Sequence, residues 1–251
     1  MREDTDDEPF WKECGLESFK TGISFIDKMC GLPINEVTEV CGLAGVGKTL
    51  FLHQIAISFV NSVPNGRVLF FDIDRSFNPY RLLAICKRLN LTCDGMLDRI
   101  LVYYYTDIDF IIKTINDHIT NASLKYMIIL DSIPNLFASE LLYEDEEKWS
   151  DEYLKLIVKF GNFLRSISET CTVVISNQVR TLLPSKKLDN IDSLWLEESV
   201  IPALGSIWEE FIDNRIYIKK IRRDTCVFII VFSSVYPETF GLVKFFGDYF
   251  E

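Results

Sequence analysis

The sequence predicts an α/β fold with a mainly parallel, doubly wound sheet. Between residues 37 and 177, short apolar runs rich in β-branched residues alternate with helical patterns. Single helices between successive strands are typical of right-handed βαβ crossovers, which place helices on both faces of a parallel sheet. After residue 203 short strands follow one another without long helices between them, and this pattern predicts an antiparallel C-terminal extension of the sheet.

The individual elements follow from the same periodicities. Strands are predicted over 37–41, 67–72, 100–105, 126–131 and 171–177, and helices over 48–61, 79–89, 108–120 and 151–169. A loop over 179–203 leads to three further strands, over 215–220, 227–233 and 242–246. The sequence contains no internal repeat and no Gly/Ser- or Pro-rich linker, so one large domain is expected.

Composition narrows the class of protein. Of the 251 residues, 48% are hydrophobic and 25% charged, which is typical of a globular chain with a substantial core. The seven cysteines are scattered and lack metal-ligand spacing, so we expect buried thiols in a reducing, intracellular setting. No apolar run is long enough to cross a bilayer. The net charge of −11 argues against free-standing nucleic-acid binding.

Residues 42–49, Gly-Leu-Ala-Gly-Val-Gly-Lys-Thr, match the phosphate-binding pattern G-x-x-x-x-G-K-[ST] between a predicted strand and a predicted helix. Glycines let the backbone curl so that several N–H groups point at one phosphate. Lys48 is expected to reach the β and γ phosphates of ATP, and Thr49 to bind Mg²⁺ through its hydroxyl. The candidate nucleotide-binding residues here are Gly42, Ala44, Gly45, Val46, Gly47, Lys48, Thr49 and Leu50.

A second candidate is Asp131, which ends the apolar strand Met-Ile-Ile-Leu-Asp at 127–131. In phosphate-loop folds a carboxylate at this place holds Mg²⁺ through the loop Ser/Thr or a water molecule. An aspartate at a strand end also serves as a turn residue, so this signal is specific only together with residues 42–49.

Several ordered segments resemble the RecA/RadA class of recombinases, and more closely the eukaryotic recombinase paralogs that act as mediators. The resemblance runs from about Phe19 to the C-terminus, through segments at 20–27, 39–42, 71–82, 129–133, 174–179 and 200–208. The last of these contains the Pro-Ala-Leu-Gly stretch at 202–205 that the paralogs carry after their second DNA-binding loop. The resemblance implies a RecA-like ATPase core that uses ATP and Mg²⁺.

The resemblance also implies roles for three further residues. Gln178 matches the γ-phosphate sensor, and Arg81 matches an arginine that lies against adenine. Asp74 stands where active recombinases keep the glutamate that orients the attacking water. Its carboxylate falls about 1.5 Å short, and an error of about 1 Å can cost a hundredfold in rate. The candidate catalytic set is therefore Lys48, Asp74 and Gln178, with weak hydrolysis expected; alternatively, Asp74 caps the helix that follows it.

Two regions depart from the family pattern. Residues 1–18 are expected to form a flexible acidic tail and 19–251 the ATPase core, with no separate N-terminal helical domain. The first expected DNA-facing loop, 134–149, is acidic, whereas the second offers Arg180, Lys186 and Lys187. A denser basic cluster at 219–223 faces either DNA or an acidic neighbour, or is simply solvated.

The resemblance implies a nuclear, ATP-binding auxiliary subunit that remodels or stabilises the recombinase filament during homologous recombination and DNA repair. Its expected partners are other paralog-like subunits and the filament itself, with single-stranded DNA contacted through the complex and no membrane. The alternative is a DNA-dependent ATPase that forms its own filaments and exchanges strands.

Overall fold

The computed structural model describes residues 17–93, 95–121, 123–137, 151–181 and 200–251. Its main sheet has the strand order β11-β10-β9-β3-β7-β6-β4-β5, and β8 pairs with β7 off this path. The strands from β9 through β3 to β5 are parallel, whereas β10 and β11 join them in antiparallel pairing. The predicted α/β class, with its antiparallel C-terminal extension, is confirmed.

The strands and helices alternate as expected through the parallel part of the sheet. The strands are β1 (Ser18–Phe19), β2 (Leu32–Pro33), β3 (Val37–Gly42), β4 (Gly66–Asp72), β5 (Ile100–Tyr103), β6 (Lys125–Asp131), β7 (Cys171–Thr181), β8 (Val200–Pro202), β9 (Asn214–Arg222), β10 (Thr225–Ser233) and β11 (Thr239–Lys244). The helices are α1 (Ser24–Lys28), α2 (Lys48–Ser62), α3 (Pro79–Arg88), α4 (Ile108–His118), α5 (Asp151–Ser168) and α6 (Gly205–Glu209).

The structure differs most clearly from the predicted elements at three places. β7 continues to Thr181 because Val179–Thr181 pair with β8, so the predicted loop 179–203 has strands at both ends. β11 starts three residues earlier than expected, at Thr239, because its register on β10 sets its bounds. β1 and β2, a separate antiparallel pair, were not predicted, and Ser18 therefore lies in a strand rather than in the expected tail.

Two hydrophobic clusters cover the two faces of the sheet. Adjacent side chains of a strand point to opposite faces, so Phe70 belongs to the cluster under α1, α2 and α3 and Phe71 to the cluster under α4, α5 and α6. Both rings are fully buried. In the described residues no helix is long and apolar enough to span a membrane.

A buried ion pair joins β3 to β9 beneath the second cluster. The Glu39 carboxylate accepts hydrogen bonds from Asn177 Nδ2 at 2.7 Å, from Trp208 Nε1 at 3.1 Å and from Arg215 Nε. Glu39 is 0% and Arg215 is 1% exposed at the side chain, and the guanidinium also donates to Glu209. The strand that leads to the phosphate loop is thus tied to β7, α6 and β9 by one polar network.

The segment 245–250 packs against α2. The Gln54 side chain accepts from Phe250 N at 2.8 Å and donates to Phe250 O at 2.9 Å, inside the protein. The Phe250 ring lies edge-on to Phe228, with 5.1 Å between ring centres. Residues 245–250 are thereby fixed beside the start of α2.

Candidate nucleotide-binding site

The segment 42–49 connects the end of β3 to the start of α2 at the carboxyl edge of the sheet. Gly47 caps α2 with φ of 107°, a left-handed conformation that disfavours side chains. A Cβ there would also lie 2.7 Å from Phe250 Cζ. No side chain caps the start of α2, and uncapped helix N-termini bind anions in phosphate-binding folds.

Lys48 bridges the mouth of this loop. Its Nζ donates to Gly42 O at 2.8 Å and to Leu43 O at 2.9 Å. Burial lowers the pKa of Lys48, while the charges of Asp131, Cys41 and Asp74 act to raise it. The ammonium therefore lies at the mouth of the loop, within electrostatic range of both aspartates.

Asp131 lies at the end of β6 and is 2% exposed. Its Oδ1 accepts from Ser176 Oγ and its Oδ2 from Ser76 Oγ at 3.5 Å. Burial raises the pKa of Asp131, and hydrogen bonds from the Ser176 and Thr49 hydroxyls oppose this shift. A hydroxyl and a carboxylate in contact are the oxygen ligands that Mg²⁺ prefers, so Thr49 and Asp131 fit this ion.

Asp74 follows β4 and is held by the segment after β6. Its Oδ2 accepts from Ser132 Oγ at 2.9 Å and its Oδ1 from Asn135 Nδ2. The alternative that Asp74 caps the next helix is wrong, because Asn78 Oδ1 accepts from Tyr80 N at the start of α3. The neighbouring Asp72 accepts from the backbone N–H groups of Ser76 and Phe77.

Lys48, Asp74 and Asp131 line one cavity of about 320 Å³. Of the sequence-predicted residues it is lined by Ala44, Gly45, Gly47, Lys48, Thr49, Leu50, Asp74, Arg81, Asp131 and Gln178. Gly42 and Val46 belong to the loop but do not line the cavity. Gln178 lies in β7, in register with Gly42 of β3, so the strand pairing itself places it beside the loop.

The structure describes some of the residues that were predicted to contact DNA, and others lie outside the described residues. Arg180 lies in β7, two residues beyond Gln178, whereas Lys186 and Lys187 lie outside the described residues, as does most of the acidic loop 134–149. Lys220 lies at the β9–β10 hairpin with its ammonium 4.6 Å from the centre of the Phe245 ring. Because Phe245 also lines the cavity, the basic hairpin borders the candidate nucleotide site.

The sequence matches the family model described as Rad51 over residues 15–245. The chain belongs to the Rad51 family. Members of this family share a RecA-like core, and the phosphate loop, Asp131 and Gln178 of this Rad51-family chain occupy one cavity at its carboxyl edge.

Two relatives of this Rad51-family chain illustrate the match. The "DNA repair and recombination protein RadA" of Cenarchaeum symbiosum is 26% identical over 232 residues, which cover 86% of this chain and 54% of the relative. The "DNA repair protein Rad51 homolog" of Drosophila melanogaster is 25% identical over 241 residues, covering 91% of this chain and 68% of the relative. The chain thus spans about half the length of the RadA relative.

Several site residues of this Rad51-family chain escaped the sequence analysis. Ser76, Ser132, Phe245 and Gly247 line the cavity, and the last two come from the C-terminal segment that Gln54 fixes. Ser76 and Ser132 lie within two residues of predicted site residues, and that spacing was the available signal. Phe245 and Gly247 carry no local signal, because long-range contacts bring them to the loop: the pairing of β10 with β11 and the hydrogen bonds between Gln54 and Phe250.

Proposed function

We propose that this chain binds ATP with Mg²⁺. The observation that carries the proposal is the convergence of Lys48, Thr49 and Asp131 in the cavity at the start of α2. The loop N–H groups and Lys48 would hold the phosphates, and Thr49 and Asp131 would hold the ion. Bound Mg²⁺ supplies positive charge against the negative charge of the phosphates. Arg81 is proposed to lie against adenine from its place on the cavity wall.

We further propose that the chain acts in homologous recombination and DNA repair as a nuclear auxiliary subunit. Both relatives carry DNA repair in their names, which supports the process. The net charge of −11 and the acidic residues Glu140, Glu144, Asp145, Glu146 and Glu147 disfavour direct DNA contact by the first loop. Assembly with paralog-like subunits and the recombinase filament, and DNA contact through that complex, fit this charge distribution.

The surroundings of Asp74 support the proposal that the chain binds ATP but hydrolyses it slowly. Both of its carboxylate oxygens already accept hydrogen bonds, from Ser132 and Asn135, and its side chain is one methylene shorter than glutamate. A carboxylate held in this way is poorly placed to reach an attacking water. ATP then serves as a conformational switch, because a neighbouring subunit with higher affinity for the ATP-bound state shifts the assembly equilibrium.

Gln178 offers a route from the nucleotide to the second loop. It directly precedes Val179–Thr181, the part of β7 that pairs with β8, and its carbonyl accepts from Ala203 N at 2.9 Å. A displacement of Gln178 would therefore shift the residues that flank the segment 182–199 on both sides. This geometry also suits the rival function, a DNA-dependent ATPase that forms its own filaments and exchanges strands.

ATP binding and turnover by the purified chain, with and without single-stranded DNA and at low and physiological salt, separate the two functions. Tight ATP binding with slow turnover that DNA does not change is the expected result for the auxiliary subunit. Turnover that rises strongly with DNA would favour the self-filamenting ATPase. An absence of ATP binding would reject both.

Asp74→Glu is expected to raise ATP turnover about tenfold, since it moves the carboxylate toward the position from which water is oriented, where about 1 Å is worth up to a hundredfold. Phosphate release by the purified variant measures the effect. Asp74→Asn is the matched control, because it keeps the length of aspartate and removes the charge, and its turnover should fall below that of the parent. An unchanged rate in Asp74→Glu would show that another group, such as one from a neighbouring subunit, limits hydrolysis.

A further inference from the structure

A fully buried histidine connects the first turn of α2 to the loop that follows β4. His53 is 0% exposed and lies one helical turn after Thr49. Its Nδ1 is 2.5 Å from Thr49 O, and its Nε2 is 3.2 Å from the backbone N of Asn78. Each ring nitrogen thus contacts the backbone of a different wall of the candidate nucleotide site.

The two contacts fix the tautomer of the ring. A carbonyl oxygen only accepts and a backbone N–H only donates, so Nδ1 must carry the proton and Nε2 must be the acceptor. The ring plane is fixed as well, because it stacks on Phe77 with 4.8 Å between ring centres and 27° between planes, and it contacts Phe70 at 5.4 Å. His53 is therefore a rigid connector with a distinct donor end and acceptor end.

The two segments joined by His53 carry different parts of the site. On one side, Lys48 and Thr49 form the first turn of α2. On the other, the loop from β4 to α3 carries Asp74 and Ser76 and leads to Arg81 on α3. All five of these side chains line the same cavity, whereas His53 itself does not.

We propose that His53 is a positioning residue for the nucleotide, which holds the loop 73–78 and the start of α3 at a fixed distance from Thr49. The inference rests on the proposed ATP binding. A loop held in its bound geometry before the ligand arrives loses less conformational entropy on binding, so the connector should raise affinity without touching the ligand. A histidine that only fills the core would give no such effect.

Two substitutions separate the ends of the connector. His53→Asn places an amide near the position of Nδ1, so it can still donate to Thr49 O, but it loses the hydrogen bond from Asn78 N in the loop. His53→Gln places its amide near the position of Nε2, so Oε1 can still accept from Asn78 N. The measurement is the affinity for ATP and for ADP by titration calorimetry, at a temperature at which thermal unfolding shows the parent and both variants to be folded.

His53→Asn is expected to lower the affinity for ATP and for ADP about tenfold, which is the scale of one lost hydrogen bond together with lost preorganisation. The affinities of His53→Gln should stay within about threefold of those of the parent. Equal affinities in all three proteins, or equal losses in the two variants, would overturn the positioning role in favour of core packing. A parent chain that binds neither nucleotide would instead refute the proposed function, so the two failures are distinguishable.

Discussion

Lys48→Ala is expected to lower ATP affinity at least about a hundredfold, because it removes the ammonium that bridges the mouth of the phosphate loop. Hydrogen bonds from a charged donor contribute about 1.5–3 kcal/mol each, and the ammonium has several to offer to the β and γ phosphates. The fold should survive, since Lys48 lies at the surface of a pocket and its contacts are to loop carbonyls. Titration calorimetry with ATP and Mg²⁺ measures the loss.

Lys87→Ala provides the matched control for this loss. Lys87 lies in the last turn of α3, exposed to solvent and away from the cavity, and its removal changes the net charge by the same amount. Its ATP affinity should remain within about twofold of the parent, since exposed charges at a distance are largely screened at physiological salt. Equal affinity in Lys48→Ala and Lys87→Ala would rule out the phosphate-loop interpretation.

Arg215→Ala is expected to lower the free energy of unfolding by about 3–5 kcal/mol, because it leaves the charge of Glu39 buried without its ionic partner. The remaining donors, Asn177 and Trp208, are neutral and cannot replace a guanidinium. Such a loss is a large part of the total for a domain, which is about 5–15 kcal/mol. Urea denaturation followed by tryptophan fluorescence measures it.

Two further proteins make the result interpretable. Arg165→Ala breaks a more exposed ion pair, with Asp213, in which the arginine side chain is 46% exposed, and it should cost less than about 1 kcal/mol. The double variant Glu39→Gln/Arg215→Met removes both buried charges and should recover most of the stability lost in Arg215→Ala. A cost for Arg215→Ala no larger than that for Arg165→Ala would contradict the expected penalty for leaving Glu39 without Arg215.

The parallel core of the fold was predictable because its signals are local and repeated. β3, β4 and β6 are apolar runs that alternate with helical segments, and such runs identify buried parallel strands. β8 could not be predicted, because three residues give no periodicity and their strand character comes from pairing with the end of β7. The bounds of β11 likewise depend on its register with β10.

The site was predictable to the extent that it is contiguous in sequence. Residues 42–49 form one motif, and the sheet register then places Asp131 and Gln178 beside it. His53 was missed because a single histidine in a largely apolar helix is typical of a core residue. Its partner, Asn78 N, is a backbone group that no side-chain pattern reveals.

The role of Asp74 could not be predicted from the sequence for a different reason. From the sequence, only Asp74 was considered as the carboxylate that accepts from backbone N–H groups before α3, although Asp72 lies two residues earlier. In the structure Asp72 has that role, because its oxygens accept from Ser76 N and Phe77 N. The Asp74 carboxylate instead accepts hydrogen bonds from Ser132 and Asn135. Side chains two residues apart on an extended strand share a face, but β4 ends at Asp72 and the chain bends over residues 73–75, so the path of the loop decides the surroundings of Asp74.

The hydrogen bonds between Gln54 and Phe250 have a consequence for biosynthesis. The two residues are 196 positions apart, so the wall formed by Phe245 and Gly247 is translated long after the phosphate loop it faces. Contacts of such high sequence separation form slowly, because the loop-closure entropy must be overcome first. A nascent chain on the ribosome therefore carries the entire glycine-rich loop but lacks one side of its pocket until β11 and the segment after it have joined the sheet.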